Sequence, residues 1–337
     1  MIDPHPVVGE RAPPPRRAPW LVRHEQIMGG RFCFRSDSQG LLDVVESAYG
    51  GHAPHRFPFG CPEFDIELRL LPRRSPQAGA PPPVRTNLDD DLLHGIIDEC
   101  NHVRVSPGLR RAQVVASADM LDRPYHLRYE LIEFAVFLLA ARCQQLVPLH
   151  AACVGRDGRG ILLLGDSGAG KSTLALHSLL QGLDFLSEDA VFVHTEGMLA
   201  TGVANFLHVR ADGLDGIGDA AARRWIAASP VIRRRSGVEK FEADLRRAPG
   251  AMRIATAPLQ LIATVILSPQ GSGRSRALPK PLASADAVAL LRAGQAYAMT
   301  QPGWNRFECW VMDSPVHLLQ RGRHPEDSVE ALRELLD

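Results

Sequence analysis

Apolar positions along the chain follow three rhythms, and each predicts an element. Strict alternation in Phe64-Asp65-Ile66-Glu67-Leu68-Arg69-Leu70 predicts a strand with one buried face, and Arg31-Phe32-Cys33-Phe34-Arg35 reads the same way. Helical spacing of Leu127, Leu131, Phe134 and Leu138 predicts a long helix from about Tyr125 to Gln145. The unbroken run Ile161-Leu162-Leu163-Leu164 suits a strand covered on both faces. Further strands are expected over residues 149–154, 183–187, 190–194 and 316–319, with a turn at Glu196-Gly197 and a return. Helix formers over residues 174–180 end at Gly182, a fitting cap, and Pro325-Glu326-Asp327-Ser328 opens a last helix through Leu336.

Turn chemistry ties two of these strands together. Asp157-Gly158 is a two-residue hairpin signal. Pairing Arg156 with Arg159 sets a register that, continued, places His150 opposite Gly165. At the level of domains, residues 1–20, rich in Pro and Arg, read as a disordered tail, and residues 72–83 as a mobile loop. A boundary near Val147 divides a smaller α+β region, residues 21–146, from an α/β domain with a mixed sheet, residues 147–337. The two strands fed by the hairpin are antiparallel, which a purely parallel sheet would not allow. Trp304 and Trp310 read as core or substrate-rim aromatics.

Composition narrows the function classes. The 337 residues carry 38 basic and 38 acidic side chains, so no overall field draws nucleic acid or a membrane surface, and neither is expected as a partner. The longest apolar stretch, residues 134–141, is too short to span a bilayer. Six scattered cysteines form no C-x-x-C pair, so zinc and redox motifs are excluded; with no leader-like opening, reduced thiols in a cytoplasmic setting are expected. Lysine occurs only at 171, 240 and 280, which singles out each of them.

The run Gly165-Asp166-Ser167-Gly168-Ala169-Gly170-Lys171-Ser172-Thr173 fits G-x-x-x-x-G-K-[ST], the Walker A phosphate-binding loop. Its flanks are a buried strand and a helix, the order this chemistry needs. Loop amides and the helix N-terminus would face phosphates, Lys171 would reach the β- and γ-phosphates of ATP or GTP, and the Ser172 hydroxyl would hold Mg²⁺. Glu188-Asp189 follows at a strand end, where one carboxylate can hold the metal, Asp189 being the candidate ligand, and the other can orient an attacking hydroxyl. The alternative for this pair is a solvated acidic turn, and for His150 an edge or core histidine. Basic candidates lie in Arg233-Arg234-Arg235-Ser236-Gly237-Val238-Glu239-Lys240, with Lys240 and Arg235 the preferred members and Arg210 a weaker one. A loop of this kind could close over the γ-phosphate, or be a solvated turn of surface ion pairs.

His150, the Asp-Gly hairpin, the glycine-rich loop and the acidic pair together resemble the C-terminal domain of HPr serine kinase/phosphorylase, over roughly residues 149–193. Similar domains occur in lasso-peptide kinases and other HPr-kinase-related proteins. The resemblance implies a P-loop kinase domain related to the nucleotide site of phosphoenolpyruvate carboxykinase. It implies ATP (or GTP) with Mg²⁺, transfer of the γ-phosphoryl group to a serine hydroxyl of a peptide or small protein, and a homo-oligomer. It gives His150 the active-site histidine role and matches Glu188-Asp189 to an Asp-Asp pair, with Glu188 a departure. The glycine-rich signature that supports the reverse, phosphorolytic reaction is missing, which argues against a bifunctional enzyme and against HPr as acceptor. A peptide chaperone is a further candidate partner. Other readings of the same residues are a small-molecule kinase, a transferase of a larger phosphoryl-containing group, and a nucleotide-gated ATPase switch.

Overall fold

The structure, a computed structural model, describes residues 20–74, 79–89, 91–250, 252–268, 279–320, 322 and 324–337. The tail expected over residues 1–20 lies outside the described residues except for Trp20, and so does the middle of the proline-rich loop, residues 75–78.

The alternating strands build a first, mixed sheet. It contains β1 (Leu21–Ile27), β2 (Gly30–Ser36), β3 (Glu63–Leu71), β4 (Arg85–Asp89), β5 (Leu92–Asp98), β6 (Asn101–Ser106) and β7 (Arg111–Ser117), in the order β1-β2-β3-β7-β6-β5-β4. The pairs β2–β3 and β3–β7 are parallel and the others antiparallel. Phe64, Ile66 and Leu68 of β3 are buried while Asp65, Glu67 and Arg69 between them are partly exposed, as alternation demands. Strands β4 to β7 carry weaker signals: β4 is exposed throughout, and β7 buries the consecutive residues Val114, Val115, Ala116 and Ser117. One face is covered by α1 (Gln39–Tyr49) and by a continuous helix of α2 (Pro124–His126), a wider turn over Leu127–Ile132 and α3 (Glu133–Gln144). Leu127, Leu131 and Leu139 of this helix join Phe32, Phe34 and Phe64 in one core.

Downstream, the chain forms β8 (Leu146–His150), β9 (Ala152–Arg156), β10 (Arg159–Leu164), β11 (Asp184–Ser187), β12 (Ala190–His194) and β13 (Leu199–Thr201). A small three-stranded sheet of β14 (Phe206–Val209), β15 (Val231–Arg233) and β16 (Glu239–Asp244) follows, and then β17 (Leu259–Ser268), β18 (Pro279–Pro281) and β19 (Val316–Gln320). The second sheet is mixed, in the order β11-β9-β10-β17-β13-β12-β8, with β19 and β18 branching from β17. Helices α4 (Lys171–Leu180), α5 (Ala220–Ala227), α6 (Ser284–Gly294), α7 (Trp304–Asp313) and α8 (Pro325–Leu336) flank these sheets. Ile161 and Leu163 share a core with residues of α4 and α8, whereas Leu162 and Leu164 share another with residues of α6 and α7. Burial on both faces explains why β10 reads as unbroken apolar sequence. Trp304, Phe307 and Trp310 lie in that last core, so the two tryptophans serve packing. The chain is therefore α/β with mixed sheets, and the two regions touch where the Phe137 and Phe192 rings pack 5.0 Å apart.

The hairpin corrects one expectation. Asp157 (φ +52°) and Gly158 (φ +79°) make the turn, and Arg156 pairs with Arg159 as the turn requires. Residues 149–154 are nonetheless not one strand. Ala151 separates β8 from β9; Ala152 pairs with Leu163 of β10, but His150 pairs with Ala190 of β12. His150 is therefore not opposite Gly165. Gly165, at φ +143°, turns β10 out of its ladder, which leaves residues before Ala152 nothing there to pair with. They cross to the opposite end of the sheet path, where β8 is the edge strand beside β12.

Candidate active site

Backbone geometry shapes the glycine-rich loop. Gly165, Gly168 and Gly170 have φ of +143°, +83° and +101°, a region that side chains disfavour. A Cβ at Gly165 would also come within 3.0 Å of the Leu267 carbonyl oxygen, so the loop leaves the sheet in close contact with β17. Gly170 is the N-cap of α4 and offers no side-chain acceptor, so the first-turn amides of α4 remain for another partner. The Lys171 ammonium folds back onto the Gly165 and Asp166 carbonyls at 2.7 and 3.2 Å. Burial lowers the Lys171 pKa from its ordinary value, against the opposing pull of Asp189 and Asp166.

Asp189 and Glu188, adjacent between β11 and β12, point to different surroundings. One Asp189 oxygen lies 3.3 Å from His150 Nδ1, and the other accepts a hydrogen bond from Arg234 Nη2 at 2.6 Å. Burial pushes the Asp189 carboxyl up, but the His150 contact and the Arg234 guanidinium outweigh it and hold its pKa well below the usual range. His150 reaches Asp189 because the crossover at Ala151 sets it beside Ala190. The distance between imidazole and carboxylate is thus set by β8–β12 pairing and not by the hairpin.

Glu188 turns inward. Its Oε1 accepts from the His208 amide at 2.8 Å and from His208 Nδ1 at 2.7 Å, and Glu188 is 5% exposed. On the other side of His208, Nε2 lies 2.8 Å from the Tyr129 hydroxyl and 3.2 Å from Glu242. Arg128 bonds Glu242 and sits 3.9 Å from Glu133. Burial would lower the His208 pKa, but hydrogen bonds and charge from Glu188 and Glu242 raise it overall. Burial pushes Glu133 up to about 7, although Arg128 and His208 pull it down. This buried network joins the helix of the first region to β14 and β16 of the second.

A cavity of about 700 Å³ opens in front of the loop. Its walls bring together His150, Lys171, Ser172, Asp189, Arg234 and Lys240, with Arg210 also at its edge. Arg235 does not line it. That side chain is held by Glu130 at 2.6 and 2.5 Å and by the Pro82 carbonyl at 2.9 Å, over the first region. The basic side chain in the cavity is its neighbour Arg234, at the start of the turn that links β15 to β16, where Arg233 pairs with Glu239. Three consecutive arginines hide this choice in the sequence; only the turn decides it. Arg210 is drawn to Asp212 at 2.9 and 3.0 Å. No group of three or more His, Cys, Asp or Glu side chains that could by itself hold a metal ion exists among the described residues. A metal here would draw on one hydroxyl and one carboxylate, the sparse protein ligation that suits Mg²⁺ completed by phosphate oxygens and water. Ser172 and Asp189 fit that set, provided Arg234 yields its oxygen.

No family model matches the chain. Among curated proteins, HPr kinase/phosphorylase of Mycoplasmopsis pulmonis is 41% identical over 73 residues, 20% of this chain and 24% of that protein. HPr kinase/phosphorylases of Ralstonia pickettii and Ralstonia nicotianae are 32% and 31% identical over 145 residues, 40% of this chain and 40% of each of theirs. Over part of its length the chain is thus related to HPr kinase/phosphorylases, and the match spans at most 40% of these relatives.

Proposed function

We propose that this protein is an ATP-dependent phosphotransferase, a P-loop kinase that moves the γ-phosphoryl group to a hydroxyl, the serine of a peptide or small protein. The observation that carries this reading is convergence: a glycine-rich loop at a helix N-terminus, Lys171, Asp189, His150, Arg234 and Lys240 line one cavity. The relatives' name speaks of HPr, and HPr is one acceptor to test. In this reading the loop amides and Lys171 bind the phosphates, which requires Lys171 to leave the Gly165 and Asp166 carbonyls it now holds. Ser172 and Asp189 would hold Mg²⁺, which would supply charge neutralisation for the phosphates. Arg234, exchanged from Asp189 to the transferring group, and Lys240 stabilise charge as it develops. The acceptor oxygen bonds to the γ-phosphorus as the bond to the β-phosphate oxygen breaks, and ADP leaves. His150 takes the acceptor's proton. Asp189, 3.3 Å from His150 Nδ1, steadies the imidazolium that forms.

The test is transfer from γ-³²P-labelled ATP with Mg²⁺, wild type against Lys171→Ala. Label on an acceptor hydroxyl, lost in the variant, supports the kinase. Label released only as phosphate would leave a nucleotide-gated switch, and unchanged transfer in Lys171→Ala would remove the phosphate-site assignment.

A further inference from the structure

His150 and Asp189 have a second side. Besides the charged cavity they line another cleft, of about 390 Å³, formed with α3, β8, β12 and residues 294–298. Its walls are largely carbon: Phe137, Leu138, Leu149, Phe192 and Ala298 among them, with Tyr297 on the rim and 51% exposed. Gln295 also lines it, but its amide is already committed. It accepts from the His150 amide at 2.9 Å and donates to the His150 carbonyl at 3.0 Å, which pins the backbone of the imidazole just where β8 ends. The one pair of reactive polar groups in the cleft is therefore the pair it shares with the phosphate side.

We infer that this cleft is the acceptor site and that it takes a peptide or protein segment whose serine or threonine is flanked by a large apolar side chain. The inference rests on the kinase reading above and names its substrate class. A hydroxyl entering from this side meets His150 and Asp189 while its neighbours meet hydrocarbon. A sugar or polyol would set several further hydroxyls against walls that are mostly hydrocarbon, where most of them would lose hydration uncompensated. An apolar flank instead gains by leaving water. The rim at Tyr297 is exposed to solvent, so a chain longer than the cleft can run out of it. Because α3 supplies part of the wall, the first region shapes acceptor choice directly.

The experiment uses the full chain with Mg²⁺ and γ-labelled ATP, and two readouts. Phosphoryl transfer from ATP to water without acceptor reports the nucleotide site; if Lys171→Ala leaves that turnover unchanged, the kinase reading fails first. With that turnover present, serine peptides carrying Leu, Phe, Ala or Asp beside the serine are compared with simple polyols and with medium-chain alcohols. Leu or Phe flanks are expected to raise kcat/KM about tenfold or more over Ala, the scale of discrimination by an apolar pocket. Tyr297→Glu, at an exposed rim position, and Leu138→Gln are expected to erase that preference through KM while leaving hydrolysis to water unchanged. Equal use of Ala and Leu flanks, transfer to no peptide, preference for polyols or alcohols, or a preference untouched by both variants would each overturn the inference.

Discussion

Glu188 stands next to a residue of the candidate active site, yet its surroundings assign it to the scaffold, and Glu188→Ala tests this. The side chain is 5% exposed and accepts two hydrogen bonds from His208, at 2.8 and 2.7 Å. A bond to a charged group contributes about 1.5–3 kcal/mol, and breaking a buried charge pair by removing one partner costs about 3–5 kcal/mol. The two routes agree, so Glu188→Ala should lower stability by about 3–5 kcal/mol. For a domain of roughly two hundred residues that is a fall in Tm of about 6–20 °C, at about 2–4 °C per kcal/mol. Glu188→Gln keeps the shape and one acceptor, so it should lose only about 1–2 kcal/mol and keep transfer within about tenfold. Differential scanning calorimetry and the labelled-transfer assay, run on the same preparations, separate the two effects. A Glu188→Gln protein with wild-type Tm and transfer reduced a hundredfold or more would refute the reasoning. It would make Glu188 a reacting group, as the sequence alone had allowed.

Other outcomes follow from the same geometry. Arg234→Ala should cut kcat by about 10²–10³ because the proposed function gives this cavity-lining cation to the transferring group, whereas Arg235→Ala should change kcat by less than about threefold; steady-state kinetics decide, and the reverse ranking would move the site. Glu133 binds its proton more tightly folded than unfolded, so its contribution is complete below about pH 4.5 and is lost as pH rises through about 7. The difference is about 3 kcal/mol. Denaturant titrations of Glu133→Gln should therefore show a flatter stability profile from about pH 4.5 to 7 and a more stable protein than wild type at pH 8; an unchanged slope would remove Glu133 as its source.

Much of the local architecture was legible because it depends on near neighbours. Alternation in β3, helical spacing from Leu127 to Leu138, and the two-faced burial of β10 all follow from the period with which side chains meet a core. The Asp157-Gly158 turn and the glycine-rich loop were legible for a related reason: left-handed backbone leaves few residue choices. Beyond these neighbours, extrapolation failed. The hairpin register held from Arg156 to Ala152 and broke at Ala151, because a strand keeps a partner only while that partner stays in its ladder. His150 still came to Asp189, by pairing with β12 instead of β10.

The order of strand, loop, lysine and acidic pair belongs to the sequence by itself, since covalent spacing and backbone sterics carry it. Which of two adjacent carboxylates faces the cavity, and which of three successive arginines, belongs to the tertiary structure alone. Side chains of neighbouring residues diverge, so their destinations depend on what distant segments bring alongside: His208 and Tyr129 for Glu188, Asp189 for Arg234, and Glu130 for Arg235.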